Sequence, residues 1–280
     1  MSLSWSSTGL VAAVIAAVVG CAEPPDHLDV LTYDEYKARA YREPDTGFWI
    51  VNGDEPVYTE EQLRATYEGY LATIAQLRHP GYGTTEQPLL LNAVNNSPDR
   101  WSAPAAANLR YCVSLTGFGL DYATVVLAMT AAAAAWEATA NVNFIHDVVQ
   151  DVTCNASNSN VTFDVSRVCG SPFYARAFFP STARAGRNVL IDCQALRNIA
   201  PLTLAGVLRH ELGHALGFRH EHILPEAGQT DPGCIESGSV YMLTTYDRAS
   251  VMHYPHCKGT NTGDLVLTDR DRQGARIVYP

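Results

Sequence analysis

Residues 208–221 read LRHELGHALGFRHE, and this stretch decides the fold. His210 and His214 are four residues apart, so on an α-helix both imidazoles point from the same face. Leucines recur at helical spacing on roughly the opposite side, which would bury the helix, namely Leu204, Leu208, Leu212 and Leu216. Gly217 lacks a Cβ and can adopt the left-handed conformation that ends a helix sharply. The chain can then turn back and bring His220 beside the first two histidines.

This arrangement predicts a catalytic metal centre. The neutral imidazoles of His210, His214 and His220 suit Zn²⁺, and three protein ligands leave one position open for water. Bound zinc lowers the pKa of that water to about 7 and polarises a carbonyl group. Glu211 directly follows the first ligand, where it can accept the water proton as general base and pass it to the leaving amine. We therefore expect a zinc hydrolase with Glu211 as a catalytic residue.

A second motif lies downstream of the histidines. Ser250-Val251-Met252-His253-Tyr254 follows a loop that carries Cys234. With the H-E-x-x-H-x-x-G-x-x-H pattern, it resembles the metzincin zinc metallopeptidases, either the astacin-like branch or a related bacterial branch of matrixin or myxobacterial type. Glu221 and Tyr254 stand where the astacin-like branch has its characteristic residues. By this resemblance Tyr254 would be a second catalytic residue, and Met252 would form a hydrophobic floor under the metal.

The resemblance implies an endopeptidase that hydrolyses extended polypeptides. The segment Tyr174–Phe179 is similar to the metzincin edge strand, which pairs antiparallel with a substrate peptide; core packing of its aromatic residues is the alternative. Two other functions stay open: a zinc-containing surface protein that binds peptides without turnover, and a zinc hydrolase of a non-peptide amide. The intact Glu211 disfavours a pure binding protein, since such a protein needs no base there.

The pattern of elements predicts an α+β fold. Strands are expected over 109–114, 142–149, 161–168, 174–179 and 188–193, and helices over 59–77, 121–140, 203–216 and 268–279. By resemblance, this is a metzincin-like catalytic domain. A mixed twisted sheet and two long helices would lie above the zinc cleft, and a small irregular C-terminal subdomain with a closing helix would lie below it.

Length and charge narrow the class of protein. The chain has 280 residues and a formal net charge of -10. It is long enough to bury a substantial core. The negative charge argues against binding to nucleic acid or to anionic lipid, which select for clustered Lys and Arg. We expect a monomer whose partner is a polypeptide substrate.

The N-terminus indicates export. Residues 1–20 contain no charged side chain, and residues 10–19 form an apolar run. This run is too short to span a bilayer, which needs about 20 apolar residues, but it suits the core of a signal peptide. Val18-Val19-Gly20-Cys21 resembles a bacterial lipobox, which predicts a cell-surface lipoprotein anchored through Cys21. An ordinary cleaved signal and simple secretion are the alternative.

Between the signal peptide and the catalytic domain lies a region that we predict to be a pro-region or linker, residues 21–97. The boundary is placed at Asn95-Asn96-Ser97-Pro98, so the peptidase domain covers 98–280. Residues 49–54, Trp-Ile-Val-Asn-Gly-Asp, loosely resemble the astacin-like propeptide stretch in which an aspartate ligates zinc. By that resemblance Asp54 would keep the enzyme latent; an ordinary β-turn is the alternative.

Beyond Cys21 the chain has an even number of cysteines, which in an exported protein predicts disulfides. Six cysteines allow 15 connectivities. The predicted pairs are Cys154 with Cys169, Cys234 with Cys257, and Cys112 with Cys193. A structural zinc cluster is the alternative, although the sequence has no C-x-x-C pair.

Overall fold

The computed structural model describes residues 30–78, 89–95, 97–224, 227–228, 231–236 and 240–280. The predicted signal peptide and Cys21 lie outside the described residues. The helices are α1 Tyr33–Arg39, α2 Glu60–Arg78, α3 Ala103–Ala106, α4 Leu115–Phe118, α5 Tyr122–Glu137, α6 Leu204–Ala215 and α7 Asp269–Val278. The strands are β1 Tyr41–Arg42, β2 Trp49–Val51, β3 Glu55–Val57, β4 Leu90–Val94, β5 Ser97–Pro98, β6 Leu109–Val113, β7 Phe144–His146, β8 Phe163–Val168, β9 Ala175–Arg176, β10 Asn188–Asp192, β11 Phe218–Arg219 and β12 Val240–Met242.

The largest sheet has five strands in the order β7-β6-β8-β10-β9. The first four run parallel to their neighbours, whereas β9 at the edge runs antiparallel to β10. The side chains of Val113, Val165 and Val189 are fully buried in the core between this sheet and the helices. The α+β prediction, with a mixed sheet, is confirmed.

Helices α5 and α6 pack against each other through small and aromatic side chains. Ala132 and Trp136 of α5 are fully buried, and the Trp136 indole Nε1 donates to the carbonyl of Arg209 at 2.9 Å. The Trp136 ring stacks on Phe218, with ring centroids 5.4 Å apart. The stretch 115–137 is long and apolar enough to cross a membrane by length and composition alone. Its buried face here lies in the protein core, so α5 is a core helix that supports α6.

The ends of α6 are fixed by its own sequence. Thr203 caps the N-terminus by accepting a hydrogen bond from the backbone N–H of Gly206 at 3.0 Å. The helix ends before Gly217, whose φ of 99° is unfavourable for any residue with a side chain. A Cβ at Gly217 would also collide with the carbonyl oxygen of Asp99. The chain therefore turns sharply into β11, which pairs with β4 and carries the chain to His220.

The C-terminal part closes under α6 through α7. Thr268 and Asp271 form a capping box at the start of α7. The Asp271 carboxylate also accepts hydrogen bonds from Ser250 Oγ at 2.6 Å and from Val251 N at 2.9 Å. The closing helix thus holds the turn that contains Met252.

The front segment, residues 30–78, forms its own small layer. Strands β1, β2 and β3 make an antiparallel sheet, and a cluster of Trp49, Val51, Val57 and Leu63 packs this sheet against α2. Strand β4 follows this segment and pairs with β11 and β12. The boundary between residues 97 and 98 stays a prediction.

The disulfides correct two of the three predicted pairs. Cys234–Cys257 is confirmed. The pairs Cys154–Cys169 and Cys112–Cys193 are wrong, because the structure joins Cys112 to Cys154 and Cys169 to Cys193, with Cα atoms 5.6 and 4.9 Å apart. Cys169 and Cys193 directly follow the parallel neighbours β8 and β10, whose C-terminal ends meet at the same edge of the sheet.

Two predicted strands are shorter than expected. The strand predicted over 142–149 is confined to β7, because the chain then enters a 3₁₀ segment, Val148–Thr153. Within this segment, the Asp151 carboxylate accepts a hydrogen bond from the backbone N–H of Val113 at 2.8 Å, which holds the segment against β6. The strand predicted over 174–179 is only β9; Ala177 and Phe178, which follow it, are buried in the core.

Candidate metal centre and catalytic residues

The three histidines of the motif converge on one point. His210 and His214 project from successive turns of α6, and His220 follows β11. The Nε2 atom of His220 lies 3.1 Å from those of both His210 and His214, and the latter two are 3.2 Å apart. All three side chains are buried.

The outer nitrogen of each ring has an oxygen partner. His210 Nδ1 lies 2.7 Å from the carbonyl of Val251, and His214 Nδ1 lies 2.8 Å from the carbonyl of Phe218. His220 Nδ1 lies 2.7 Å from Oε1 of Glu236. Carbonyl and carboxylate oxygens can only accept, so each Nδ1 carries the proton. Three Nε2 lone pairs then face one another, an arrangement that requires a cation between them.

A zinc ion fits this donor set. Tetrahedral ligands at about 2.0–2.1 Å from Zn²⁺ are separated by about 3.3 Å from each other. The Nε2 separations of 3.1–3.2 Å agree closely with that value. Residues His210, His214 and His220 would hold the ion as neutral imidazoles, and their fixed Nδ1 partners set the tautomer that ligation needs.

A fourth group, Asp54, comes from the front segment. Its carboxylate oxygens lie 3.4, 3.5 and 3.3 Å from Nε2 of His210, His214 and His220. The side chain is buried, and among the described residues its Oδ1 has no hydrogen-bond partner. A buried carboxylate oxygen directed at three lone pairs is itself a sign of an intervening cation.

Asp54 reaches this point at the tip of the β2–β3 hairpin. Asn52 and Gly53 both have positive φ, 53° and 90°, as tight hairpin turns require. A Cβ at Gly53 would lie 2.7 Å from the hydroxyl oxygen of Tyr254, so only glycine fits between the tip and that ring. Asp54 therefore follows a tight turn and also approaches the three histidines.

Glu211 lies beside this cluster in a closed environment. It lines a cavity of about 320 Å³ together with Asp54, His210 and Tyr254. Burial raises the pKa of Glu211 well above its usual range, and the negative charge of Asp54 raises it further. Among the described residues, its Oε2 has no hydrogen-bond partner. The carboxylate is thus placed to exchange a proton with a molecule that enters the cavity.

Tyr254 packs on the histidines. Its ring centroid lies 4.3 Å from that of His220 and 5.5 Å from that of His210. Its hydroxyl donates to the carbonyl of Asn52 at 3.4 Å. Burial raises the pKa of Tyr254 well above its usual value, so this hydroxyl remains a proton donor. Met252 is fully buried beneath α6, where a Cβ at Gly213 would collide with its sulfur.

The sequence of this site matches a known peptidase family. The family of dual-action HEIGH metallo-peptidases matches residues 100–272. The chain belongs to this family. Its His210-Glu211-Leu212-Gly213-His214 is the counterpart of the motif that the family description spells out. The metallopeptidase resemblance seen in the sequence is confirmed.

Part of this HEIGH peptidase is similar to animal proteins. Over 89 residues it is 37% identical to Tolloid-like protein 2 of Mus musculus and 36% identical to Tolloid-like protein 2 of Homo sapiens. Each match covers 25% of this chain and spans only 9% of the length of the relative.

Two solved structures also resemble it. The structure of myroilysin gives a TM-score of 0.46 at 17% identity and covers 68% of this chain and 98% of that one. High choriolytic enzyme 1, a hatching enzyme zinc-protease from Oryzias latipes (Medaka fish), gives a TM-score of 0.37 at 20% identity, with coverages of 59% and 77%.

The HEIGH peptidase has buried carboxylates near the site that sequence reasoning missed. Glu236 is 1% exposed, and its Oε1 lies 2.7 Å from His220 Nδ1 and 2.8 Å from His222 Nε2. It follows a loop with no helical or strand periodicity, so no spacing rule placed it near His220. The buried pair that Glu55 forms with Arg219 at 2.6 Å was also missed, because it joins residues far apart in the chain.

Three further histidines lie close to His220 or Tyr254 in the sequence, namely His222, His253 and His256. His222 points to Glu236, and His253 Nε2 lies 2.9 Å from the hydroxyl of Tyr246. His256 is exposed.

Proposed function

We propose that this HEIGH metallo-peptidase is an exported zinc endopeptidase that hydrolyses internal bonds of extended polypeptides. One observation carries the proposal: three histidines with fixed tautomers direct their Nε2 lone pairs to one point, next to the buried carboxylate of Glu211. His210, His214 and His220 are the proposed metal ligands, and Glu211 and Tyr254 are the proposed catalytic residues.

The chain's own residues supply the proton transfers. When bound, zinc polarises the substrate carbonyl and makes water a stronger nucleophile. Glu211 accepts the proton of the attacking water and then donates it to the leaving amine. Burial raises its pKa, which strengthens the carboxylate as a base and lets the protonated form donate in turn.

Two other features support an extended peptide as substrate. Strand β9 lies at the edge of the five-stranded sheet, where a peptide can add as a further strand. Tyr174 and Ala175 line the same cavity as Glu211, so a peptide along β9 would pass the proposed base. The Tyr254 hydroxyl can donate a hydrogen bond to the negative charge that develops on the carbonyl oxygen.

The front segment would keep the enzyme latent. Asp54 occupies the side of the histidine cluster from which a fourth ligand would approach, and a carboxylate is a competent zinc ligand. Two buried ion pairs join the segment to the catalytic part: Glu43 with Arg176 at 2.6 Å and Glu55 with Arg219 at 2.6 Å. We propose that residues 21–97 are a pro-region whose front segment, residues 30–78, restricts the access of substrate to the site.

The proposed location is outside the cytoplasm. Three disulfides favour an oxidising compartment. The signal peptide over 1–20 and the lipid anchor at Cys21 remain part of the proposal on sequence grounds alone.

A quenched-peptide library tests the proposed function directly. It is digested with the full chain, with Asp54→Ala, and with Asp54→Ala combined with Glu211→Gln, each with zinc and with a chelator. We expect zinc-dependent cleavage that increases in Asp54→Ala and disappears when Glu211→Gln is added.

Two results would contradict the proposal. Zinc binding without cleavage in every variant would indicate a peptide-binding protein. Hydrolysis of small non-peptide amides without cleavage of any peptide would indicate the other hydrolase class.

A further inference from the structure

Two consecutive residues of the front segment meet two consecutive residues of the catalytic part. Asp54 lies 3.3 Å from His220, and Glu55 lies 2.6 Å from Arg219. Neighbouring residues of an extended chain point to opposite sides. The metal ligand and the arginine therefore face two adjoining compartments, separated by one residue of backbone.

The compartment at Arg219 lies between the front segment and the catalytic part, and Glu55 and Arg219 are the only charged residues among the described ones that line it. It is a cavity of about 730 Å³. Among the described residues that line it, Arg219 is the only charged one outside the front segment; its neighbours include Asn92, Phe179 and Ser181. The Arg219 guanidinium lies over the Phe179 ring, 5.7 Å from its centroid.

A guanidinium in such a position favours an acidic partner. The Arg219 side chain is 7% exposed and the Glu55 side chain 5% exposed, so the pair is shielded from water. Guanidinium and carboxylate groups form strong charge-assisted hydrogen bonds of matching geometry. Displacement of the front segment would remove Glu55 from Arg219, which is next in the chain to the proposed ligand His220.

We propose that Arg219 is a specificity-determining residue that binds a Glu or Asp side chain of the substrate close to the scissile bond. This inference rests on the proposed peptidase function. Arg219 is next in the chain to the proposed ligand His220, and consecutive Cα atoms are 3.8 Å apart. The acidic side chain that binds Arg219 therefore belongs to a residue within about two positions of the bond that is cut. Glu55 then occupies in the latent chain the position that a substrate carboxylate takes in the active enzyme.

The test uses the full chain with Asp54→Ala and Glu55→Ala, so that the front segment presents neither carboxylate. Quenched peptides that differ only by Glu or Gln at one position are compared by kcat/KM, one position at a time. At one position within about two residues of the cut, Glu is expected to exceed Gln by about tenfold, since an enclosed arginine discriminates a carboxylate from its neutral isostere.

Three substitutions at Arg219 separate this role from a structural one. Arg219→Gln is expected to bring the Glu-to-Gln ratio close to one while the same peptides are still cut. Arg219→Lys retains the charge and should keep a reduced preference for Glu, whereas Arg219→Glu should favour Lys at the same position. Equal cleavage of Glu and Gln peptides at every position, or an unchanged preference in Arg219→Gln, would overturn the proposal.

A binding measurement distinguishes failure of this inference from failure of the peptidase proposal. A fluorescent peptide with the sequence of residues 49–57 is titrated against the same full-chain variant, once with Glu and once with Gln at the position of Glu55. About tenfold tighter binding of the Glu peptide, abolished by Arg219→Gln, supports the acid-binding pocket even if no peptide is cut. Equal affinities would overturn the pocket, and peptide cleavage would still support the peptidase.

Discussion

The carboxylate of Asp54 lies 3.3 Å from Nε2 of His220, although the two residues belong to segments far apart in the chain. Both side chains are buried. If Asp54 completes the metal coordination, Asp54→Ala should open the site in the full chain. We expect zinc-dependent peptide cleavage to rise by at least about tenfold, since the competing ligand is lost while the other three remain.

The matched control for this prediction is Asp45→Ala, an exposed aspartate of the same front segment. Cleavage rates of the wild type, Asp54→Ala and Asp45→Ala are compared on one peptide at saturating zinc. Equal rates for all three, in chains that bind zinc, would show that Asp54 does not limit access to the site.

Glu236 is expected to tune metal affinity through His220. Its carboxylate accepts a hydrogen bond from the Nδ1–H group of that ring, as carboxylates do for many metal-binding histidines. Glu236→Ala should weaken zinc binding by about 10–100-fold, and Glu236→Gln should weaken it less because the amide oxygen can still accept. Competition with a chromophoric chelator measures the dissociation constant. Unchanged affinity in Glu236→Ala would leave Glu236 with no role at the metal.

Tyr254→Phe tests the hydroxyl without disturbing the ring that packs on His210 and His220. If the hydroxyl stabilises charge on the carbonyl oxygen only during the reaction, kcat should fall by about 10²–10³-fold with little change in KM. Steady-state kinetics in the Asp54→Ala background give both constants. A change in KM alone would assign Tyr254 to substrate binding instead.

The elements near the site could be predicted from the sequence because they depend on local spacing. Helix α6 was expected over 203–216 and is observed over Leu204–Ala215, since its leucine stripe, Thr203 cap and Gly217 stop lie within one short stretch. Its two histidines share a face for the same reason. The third, His220, was expected beside them because Gly217 ends the helix and lets the chain turn back.

Long-range partners could not be predicted in this way. Glu236, the Glu55–Arg219 pair and two of the disulfides depend on contacts between segments that are separated in the chain. Cys169 and Cys193 meet only because β8 and β10 are adjacent and parallel. The local sequence pattern carries no signal for that adjacency, so the sequence predicted Cys154–Cys169, a pair that does not form.

Gly217 should be the least replaceable residue between the second and third ligands. Gly217→Ala places a side chain at a φ of 99° and against the backbone of Asp99. Strain of about 1–2 kcal/mol from the backbone and about 1–3 kcal/mol from overpacking predicts a loss of about 2–5 kcal/mol in the free energy of unfolding. Urea denaturation of the full chain measures it.

The control for that experiment is Gly263→Ala. No atom lies within 4 Å of a Cβ built there, and its backbone is not in the left-handed region. Its unfolding free energy should stay within about 0.5 kcal/mol of the wild type. Equal effects of the two substitutions would mean that the turn after α6 relaxes without cost.

Asp271 should make stability depend on pH in an unusual direction. Burial raises the pKa of its carboxyl above the ordinary value, although hydrogen bonds from Ser250, Thr268 and Val251 oppose the rise. A raised folded-state pKa means that the folded chain binds more protons than the unfolded chain between the two pKa values. The contribution of Asp271 is then fully present below the unfolded pKa, about 4, and is lost as the pH rises through the folded pKa.

Asp271→Asn isolates this contribution because the amide does not titrate. The substitution should destabilise the fold by about 1–3 kcal/mol. The amide nitrogen of Asn is itself a donor, and it would face one of the N–H or O–H groups that now donate to the carboxylate. The loss should be largest at about pH 4 and smaller at pH 7, where the wild-type carboxylate is itself charged and buried. Urea denaturation of both chains at several pH values gives the difference, with exposed Asp45→Asn as the control. A loss that grows with pH would show that the fold favours the charged carboxylate, contrary to the direction argued from its burial.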